Sequence, residues 1–286
     1  MSHLLYIIWD PSLGIHLGNF TLRYYSLMYV IAFGLGFYLM DIIFKKDHIN
    51  RKLLDPLFIY MFLAVILGAR LGHVLFYQKE LFVEDPLAVF LPIRTKPDFE
   101  FTGFQGLASH GAAIGILISL YLFSRKYLKR NILWILDRIV IPVAIGGMFI
   151  RFGNFINSEI VGKVCSENLP WGVLFIQQDT HEYGVVSPRH PAQLYEALGY
   201  FLLFISLLYI YFKTDKKKYL GWIFGYFLII LFGIRFIVEF FKEPQGKEYI
   251  NWFGLNTGQW LSIPFIIAGI FILITAKNRL YIDKNK

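Results

Sequence analysis

The feature that most constrains this chain is the length of its uninterrupted apolar stretches. Seven windows stand out: Tyr24 to Phe44, Pro56 to Tyr77, Phe104 to Ser124, Ile132 to Ile156, Pro191 to Phe212, Leu220 to Phe241 and Thr257 to Ala276. Each is long enough, at about 1.5 Å of rise per residue, to cross the roughly 30 Å of hydrocarbon in a bilayer. Inside hydrocarbon a backbone must satisfy its own hydrogen bonds, so these windows predict helices. The expected fold is an all-α integral membrane protein of about seven transmembrane helices. The shorter apolar piece from Leu87 to Ile93 reads as interfacial or re-entrant, not as a span. Composition supports the same solvent: 56% of residues are hydrophobic and 17% charged, against about a quarter charged in soluble proteins. That excludes an ordinary soluble enzyme.

The formal charge of +8 has to be read by position. Residues 45–55, 125–131, 213–219 and 277–286 carry sixteen Lys and Arg between them; residues 1–23, 78–103, 157–190 and 242–256 carry eight. The positive-inside rule then puts the N-terminus outside and the C-terminus inside. Basic residues scattered between apolar stretches do not form a nucleic-acid module, so no nucleic-acid partner is expected. The first 23 residues lack the n-region, h-region and cleavage site of a secretory signal, and the first span is expected to serve as the insertion signal. No repeat or composition break divides the chain, which reads as one polytopic membrane domain over residues 1–286. Residues 157–190, mixed polar with Gly, Pro and Trp, form a small external cap between spans four and five. Cys165 is the single cysteine, which excludes an intramolecular disulfide framework and a zinc centre built on several thiolates. No metal and no cofactor are called for.

Four basic residues remain inside the spans: Arg70, Arg138, Arg151 and Arg235. An Arg at a helix centre costs roughly 2.5–3.5 kcal/mol, so such residues face a partner, a cavity or a polar ligand. Arg138, Asp137 and Asp41 lie near inner span ends and are expected to anchor at the headgroups. The other three arginines fall within about 10 Å of the outer ends of their helices. His110, Tyr25, Glu196 and Glu239 belong to the same slab. Taken singly they have plain explanations: His110 as a helix bridge, or Arg235 and Glu239 as an ion pair one turn apart. Taken together they point to an outer-leaflet site. Guanidinium forks at that depth suit the phosphate of a phospholipid. His110, followed by Gly111, Ala112 and Ala113, is accessible enough to accept a proton from a thiol or hydroxyl.

Two local blocks refine this site. RFGNFINSEIVG, from Arg151 to Gly162, thins the fourth helix at Gly153, places Asn154 and Asn157 on one face, and ends in Glu159. RHPAQLYE, from Arg189 to Glu196, puts Pro191 at the first helical position and brings Gln193 and Glu196 to the outer end of the fifth span. An anion or lipid transporter with an arginine-lined site is the alternative class, although midplane broken helices and a repeat are missing.

These blocks, with RYYSLMY at Arg23 to Tyr29, GARLGHVLFY at Gly68 to Tyr77, SHG at Ser109 to Gly111 and RFIVEFFKEP at Arg235 to Pro244, resemble in order the motifs of the bacterial prolipoprotein diacylglyceryl transferases. The resemblance covers nearly the whole chain. It implies transfer of an sn-1,2-diacylglyceryl group from phosphatidylglycerol to the lipobox cysteine of a prolipoprotein signal peptide, with release of glycerol 1-phosphate, at the outer face of the bacterial inner membrane. It also implies catalytic roles for His110, Arg151 and Arg235, and substrate-binding roles for Arg151, Tyr25, Asn154, Asn157, Glu159, Gly162, Arg70 and Glu239 among membrane lipids. The chain departs from the pattern at Ala112, Ile150, Leu231, Lys242 and Gln245.

Overall fold

The computed structural model describes residues 7–18, 20–96, 98–101, 106, 108–244 and 252–281. Seven long helices lie on the apolar windows: α1 Tyr24–Lys46, α2 Leu54–Tyr77, α3 Ser109–Phe123, α4 Ile132–Ile156, α5 Ala192–Lys213, α6 Trp222–Val238 and α7 Thr257–Thr275. With the short turns that extend some of them, all seven have the length and composition to cross a membrane, and the protein is multi-pass. The third helix starts later than its window. Phe104 lies outside the described residues, and α3 instead continues into a π-helical turn at Ser124–Leu128. The connections carry short strands: β1 Ile7–Trp9, β2 Gly14–Leu17, β3 Phe20–Arg23, β4 Ile93–Arg94, β5 Glu100–Phe101, β6 Val173–Phe175 and β7 Pro188–Arg189. The chain sorts into two compact units, Asp41–Leu136 on the one hand and Met1–Met40 with Asp137–Lys286 on the other.

The Asp41–Leu136 unit is built on the contact of α2 with α3. A Cβ on Gly72 would lie 2.6 Å from the Gly111 Cα, and one on Gly68 or Gly115 would lie 2.6 Å from a carbonyl oxygen of the facing helix. Lipid supplies no hydrophobic drive between helices, so this backbone approach provides the packing that holds them. It also fixes the start of α3, where His110 sits. Between α2 and α3, the short helices Leu81–Glu84 and Pro86–Phe90 lead into the antiparallel β4–β5 pair. Asp85 ties this segment together by accepting from the Thr95 backbone N–H and hydroxyl, each at 2.6 Å. Asp41 pairs with Lys45 at 2.6 Å and Arg51 at 2.7 Å.

In the other unit, β1 runs parallel to β6, and β6 antiparallel to β7. This sheet carries a small core of Phe155, Val161, Val173 and Phe175, with Trp9 and Leu194 packed on it. The Trp9 indole N–H donates to the Phe155 carbonyl at 2.9 Å, so the sheet grips the last turn of α4. Arg189 pins the same layer. It is 3% exposed, pairs with fully buried Asp179 at 2.7 Å and Glu243 at 3.3 Å, and stacks over the Tyr183 ring at 4.3 Å.

Asp137 and Arg138 correct the expectation of interfacial anchors. Asp137 is completely buried and accepts from the backbone N–H groups of Gly221 at 2.7 Å and Phe224 at 2.8 Å. It therefore caps α6 from another helix, where Gly221 in the left-handed region offers no side chain to do so. Arg138, 3% exposed, lies over the Tyr211 ring at 5.9 Å instead of reaching for headgroups. Pro191 also differs from expectation: it caps α5, which starts at Ala192.

The two hydrogen bonds from Thr95 hold the Asp85 carboxyl below the usual carboxylate range. A depressed folded-state pKa means that this stabilisation is complete above the unfolded value near 3.9 and is lost as pH falls through the folded one. Hydrogen exchange at the Thr95 amide, corrected for its intrinsic rate, should stay slow down to about pH 4 and accelerate below it. In Asp85→Asn it should already be fast at neutral pH.

Candidate functional site

The site grows from the end of α4. This helix stops because Ser158 turns into the left-handed region (φ 55°), a role usually taken by glycine, and Ile160 follows at φ 58°. A β-branched residue there is strained, by about 1–3 kcal/mol. The distortion turns Glu159 back over the helix end, where its N–H donates to the Asn154 carbonyl at 2.9 Å. Its two carboxylate oxygens then accept from the amides of Asn154 and Asn157, each at 3.1 Å. The predicted common face of the two asparagines is thus used to hold one carboxylate.

Arg151 lies one turn earlier. Its Nη1 donates to Asn154 Oδ1 at 3.1 Å, and its Nε pairs with Glu196 of α5. Glu196 is 1% exposed, so the guanidinium meets its counter-charge in an apolar setting. One turn before Glu196, Gln193 Nε2 donates to the Glu159 carbonyl at 2.6 Å. The contacts run from Arg151 through Asn154 and Glu159 to Gln193, and one turn of α5 leads from Gln193 to Glu196 and so back to Arg151, closing a ring. Tyr25 leans on this ring. Its hydroxyl is 3.1 Å from that of Tyr29, and it interacts with Asn154 and Glu159. Gly153 makes this possible, because a Cβ there would fall 3.0 Å from the Tyr25 Cε2.

A second group comes from the end of α6. Lys242 Nζ lies 3.1 Å from Glu239 and 3.7 Å from the second oxygen of Glu196, which links this group to the ring. Gly258 leaves room for the Glu239 carboxylate, as a Cβ would sit 2.7 Å from its Oε1. Glu239 is therefore held by Lys242 instead of forming the one-turn pair with Arg235. Arg235, half-buried, interacts with Tyr200 of α5, which also faces Arg151 and Glu196. Among the described residues Arg235 has no carboxylate partner. Gln245 lies outside the described residues.

Gly162 occupies a chain crossing, not an open surface. Its N–H donates to the His190 carbonyl at 3.0 Å, while Lys163 N–H donates to Phe241 O at 2.8 Å, and any side chain at Gly162 would strike both carbonyls. His190 is held below the ordinary histidine range by burial. A cavity of about 390 Å³ opens on the far side of Glu159, lined by Glu182, Tyr183 and Glu243 among others. Its carboxylates would repel a phosphate, so it is not the anion site.

The Asp41–Leu136 unit holds the other named residues. His110 is exposed at the second position of α3, with its ring edge-on to Phe76 at 5.1 Å and 6.4 Å from Tyr77. The exposed imidazole is geometrically free to exchange a proton. Arg70, 8% exposed, donates from Nη2 to the Ala88 carbonyl at 2.8 Å, which ties the short Pro86–Phe90 helix to α2. The residues that sequence reasoning missed are Tyr200, the bridging Lys242 and the Asp179–Arg189–Glu243 pin. Tyr200 was within reach, standing one turn after Glu196 on the same face. The pin joins residues too far apart in sequence to be foreseen. Among the described residues, no three His, Cys, Asp or Glu are grouped to hold a metal ion.

A family profile described as prolipoprotein diacylglyceryl transferase matches residues 12–275. The chain is similar to the phosphatidylglycerol–prolipoprotein diacylglyceryl transferase of Tolumonas auensis, 42% identical over 271 residues, covering 94% of this chain and 97% of the relative. That of Bacteroides fragilis is 40% identical over 273 residues, covering 94% and 95%. That of Chloroherpeton thalassium is 36% identical over 280 residues, covering 98% and 97%.

Because Glu196 serves both Arg151 and Lys242, Glu196→Gln is expected to lower stability by about 3 kcal/mol in detergent micelles. Adding Lys242→Met should restore part of that loss by removing the uncompensated cation. Simple additivity in the denaturant midpoints would rule out a shared carboxylate.

Proposed function

The chain belongs to the prolipoprotein diacylglyceryl transferase family, and from that premise we propose how its site works. It transfers a diacylglyceryl group from phosphatidylglycerol to a prolipoprotein. The acceptor is the lipobox cysteine of the signal peptide, and the site faces the outer leaflet of the bacterial cytoplasmic membrane, in keeping with the sixteen-to-eight distribution of basic residues.

The observation that carries this reading is the pairing state of the two arginines. Arg151 is held at a fixed angle by a buried carboxylate and an asparagine, whereas Arg235 lacks a carboxylate among the described residues. A half-buried guanidinium without a counter-charge in an apolar helix is completed by an anion from outside. The phosphate of phosphatidylglycerol is such an anion at headgroup depth.

In the reaction, the acceptor sulfur attacks the glyceryl carbon esterified to phosphate. The C–S bond forms as the C–O bond breaks, and the oxygen leaves with the electron pair as glycerol 1-phosphate. A phosphodiester with one charge becomes a monoester with a second developing charge. Arginine donors aimed at that oxygen lower the barrier where water is scarce. The thiol, with an ordinary pKa of about 8.5, must lose its proton. His110, unobstructed on its helix, receives it. Tyr25, Asn154, Asn157 and Glu159 keep Arg151 oriented, and Glu239 orients Lys242.

Purified protein in detergent, given phosphatidylglycerol and a lipobox peptide, should yield a diacylglyceryl thioether and free glycerol phosphate. Neither product, with the peptide and lipid shown intact, would overturn the reading. Arg235→Ala should lower kcat by roughly 10²- to 10³-fold, as expected for loss of a donor to developing charge. His110→Gln should remove the acidic limb of the rate–pH profile along with most of the rate. A retained rate with an unchanged profile would exclude His110 as the base.

A further inference from the structure

The ring around Arg151 contains an acceptor with nothing to accept. Gln193 is 1% exposed, and its Nε2 is committed to the Glu159 carbonyl at 2.6 Å. A carbonyl only accepts, so this bond fixes which end of the amide faces Glu159 and turns Oε1 away from it. Gln193 Oε1 is fully buried and, among the described residues, has no hydrogen-bond partner. A second orphan borders Glu159 in sequence: the Oγ of Ser158 is also buried and, among the described residues, has no hydrogen-bond partner. Nearby donors are already taken, since the Asn154 and Asn157 amides serve the Glu159 carboxylate, and Arg151 serves Asn154 and Glu196.

Buried amide oxygens in native proteins are almost always satisfied. A site that pairs unspent positive charge with unspent acceptors is complementary to a ligand that carries an anion and hydroxyl donors together. Phosphate satisfies the first requirement and leaves the second open. The headgroup of phosphatidylglycerol ends in a glycerol with two free hydroxyls beyond the phosphate, which a simple alkyl phosphodiester lacks.

We propose that Gln193 is the headgroup-reading residue, its Oε1 accepting a hydrogen bond from a hydroxyl of the glycerol that departs with the phosphate, with Ser158 Oγ as a second contact. This rests on the reaction proposed above and adds the basis on which the donor lipid is chosen. The glycine-like turn at Ser158 and the Glu159 carbonyl then have a purpose in common, for they hold the two acceptors in register with the ring. A site that hydrogen-bonds a substrate hydroxyl rejects the analogue without it, because its own buried acceptor is left unpaired.

The test compares phosphatidylglycerol with phosphatidylethanol, which keeps the phosphodiester charge and both acyl chains but has no headgroup hydroxyl. Wild type should favour phosphatidylglycerol by about ten- to a hundredfold in kcat/KM, the loss expected when one neutral buried acceptor is left unpaired. Gln193→Met should bring that ratio to within about threefold, chiefly by raising KM for phosphatidylglycerol. Ser158→Ala, which leaves the Glu159 tie intact, should narrow the ratio part of the way, and it decides the matter if Gln193→Met is not recovered folded. If either folded variant loses rate equally with both lipids and keeps the wild-type ratio, the proposal is overturned: Gln193 is then a strut and its oxygen is met by water. Lipid retention in nanodiscs, measured by native mass spectrometry on the same proteins, gives the ratio independently of turnover. A wild type that prefers phosphatidylglycerol in retention yet transfers nothing would therefore defeat the reaction and leave the headgroup contact standing.

Discussion

An arginine in an apolar helix needs a counter-charge, and the structure around the candidate site follows from how that need is met at Arg151. A carboxylate on the same helix could have supplied it. Instead the charge comes from Glu196 on α5, 1% exposed and shared with Lys242. Breaking such a buried pair is far costlier than the pair is stabilising, so its worth is in geometry more than in net stability. It forces the ends of α4 and α5 and the segment after α6 to converge on one carboxylate. The asparagines, the turned-back Glu159 and Gln193 complete that convergence by linking the end of α4 to α5, while the Gln193 Oε1 and Ser158 Oγ stay buried without hydrogen-bond partners among the described residues.

The same economy appears elsewhere in the apolar helices. Asp137 takes the first N–H groups of α6, a task that a serine or aspartate at the helix's own N-cap would usually perform. Arg70 takes the Ala88 carbonyl near the end of a short helix. These two charges are placed where a backbone would otherwise leave groups unsatisfied in hydrocarbon, where the penalty is about several kcal/mol per group. Arg235 stands apart, because no backbone group or carboxylate among the described residues claims it. That contrast separates a charge serving the fold from one kept for a ligand, and position along the helix could not make it.

Much of this was legible in the sequence, for reasons that differ by level. The helices were readable because hydrocarbon thickness sets their length, and every window found its helix to within a few residues apart from the start of α3. Arg151, Asn154, Asn157 and Glu159 were readable because they are local: helical spacing alone puts them at one end of α4. Asp137 and Arg138 were misread for the same reason that the windows worked. Distance from a span end says how far a side chain must reach to water, and says nothing of whether a neighbouring helix offers it a better partner. Lys242 was visible only as a departure from a family pattern, and its bridge between Glu239 and Glu196 depends on a fold that brings α5 beside the end of α6.

Charge balance draws these levels together. Around the ring stand three cations, Arg151, Arg235 and Lys242, and the carboxylates of Glu196 and Glu239 pair directly with Arg151 and Lys242. The third carboxylate, Glu159, spends both oxygens on asparagine amides and, among the described residues, forms no ion pair. Its charge is solvated by neutral amide donors, so it braces Arg151 through Asn154 without occupying the guanidinium N–H groups. Replacing that indirect brace with a direct ion pair would use up guanidinium donors that an anion could take; removing it would free Asn154 and let the guanidinium drift. An amide placed between a carboxylate and an arginine keeps the orientation and leaves guanidinium N–H donors unspent. The strained backbone at Ser158 and Ile160 is what allows Glu159 to reach the asparagines instead of the arginine.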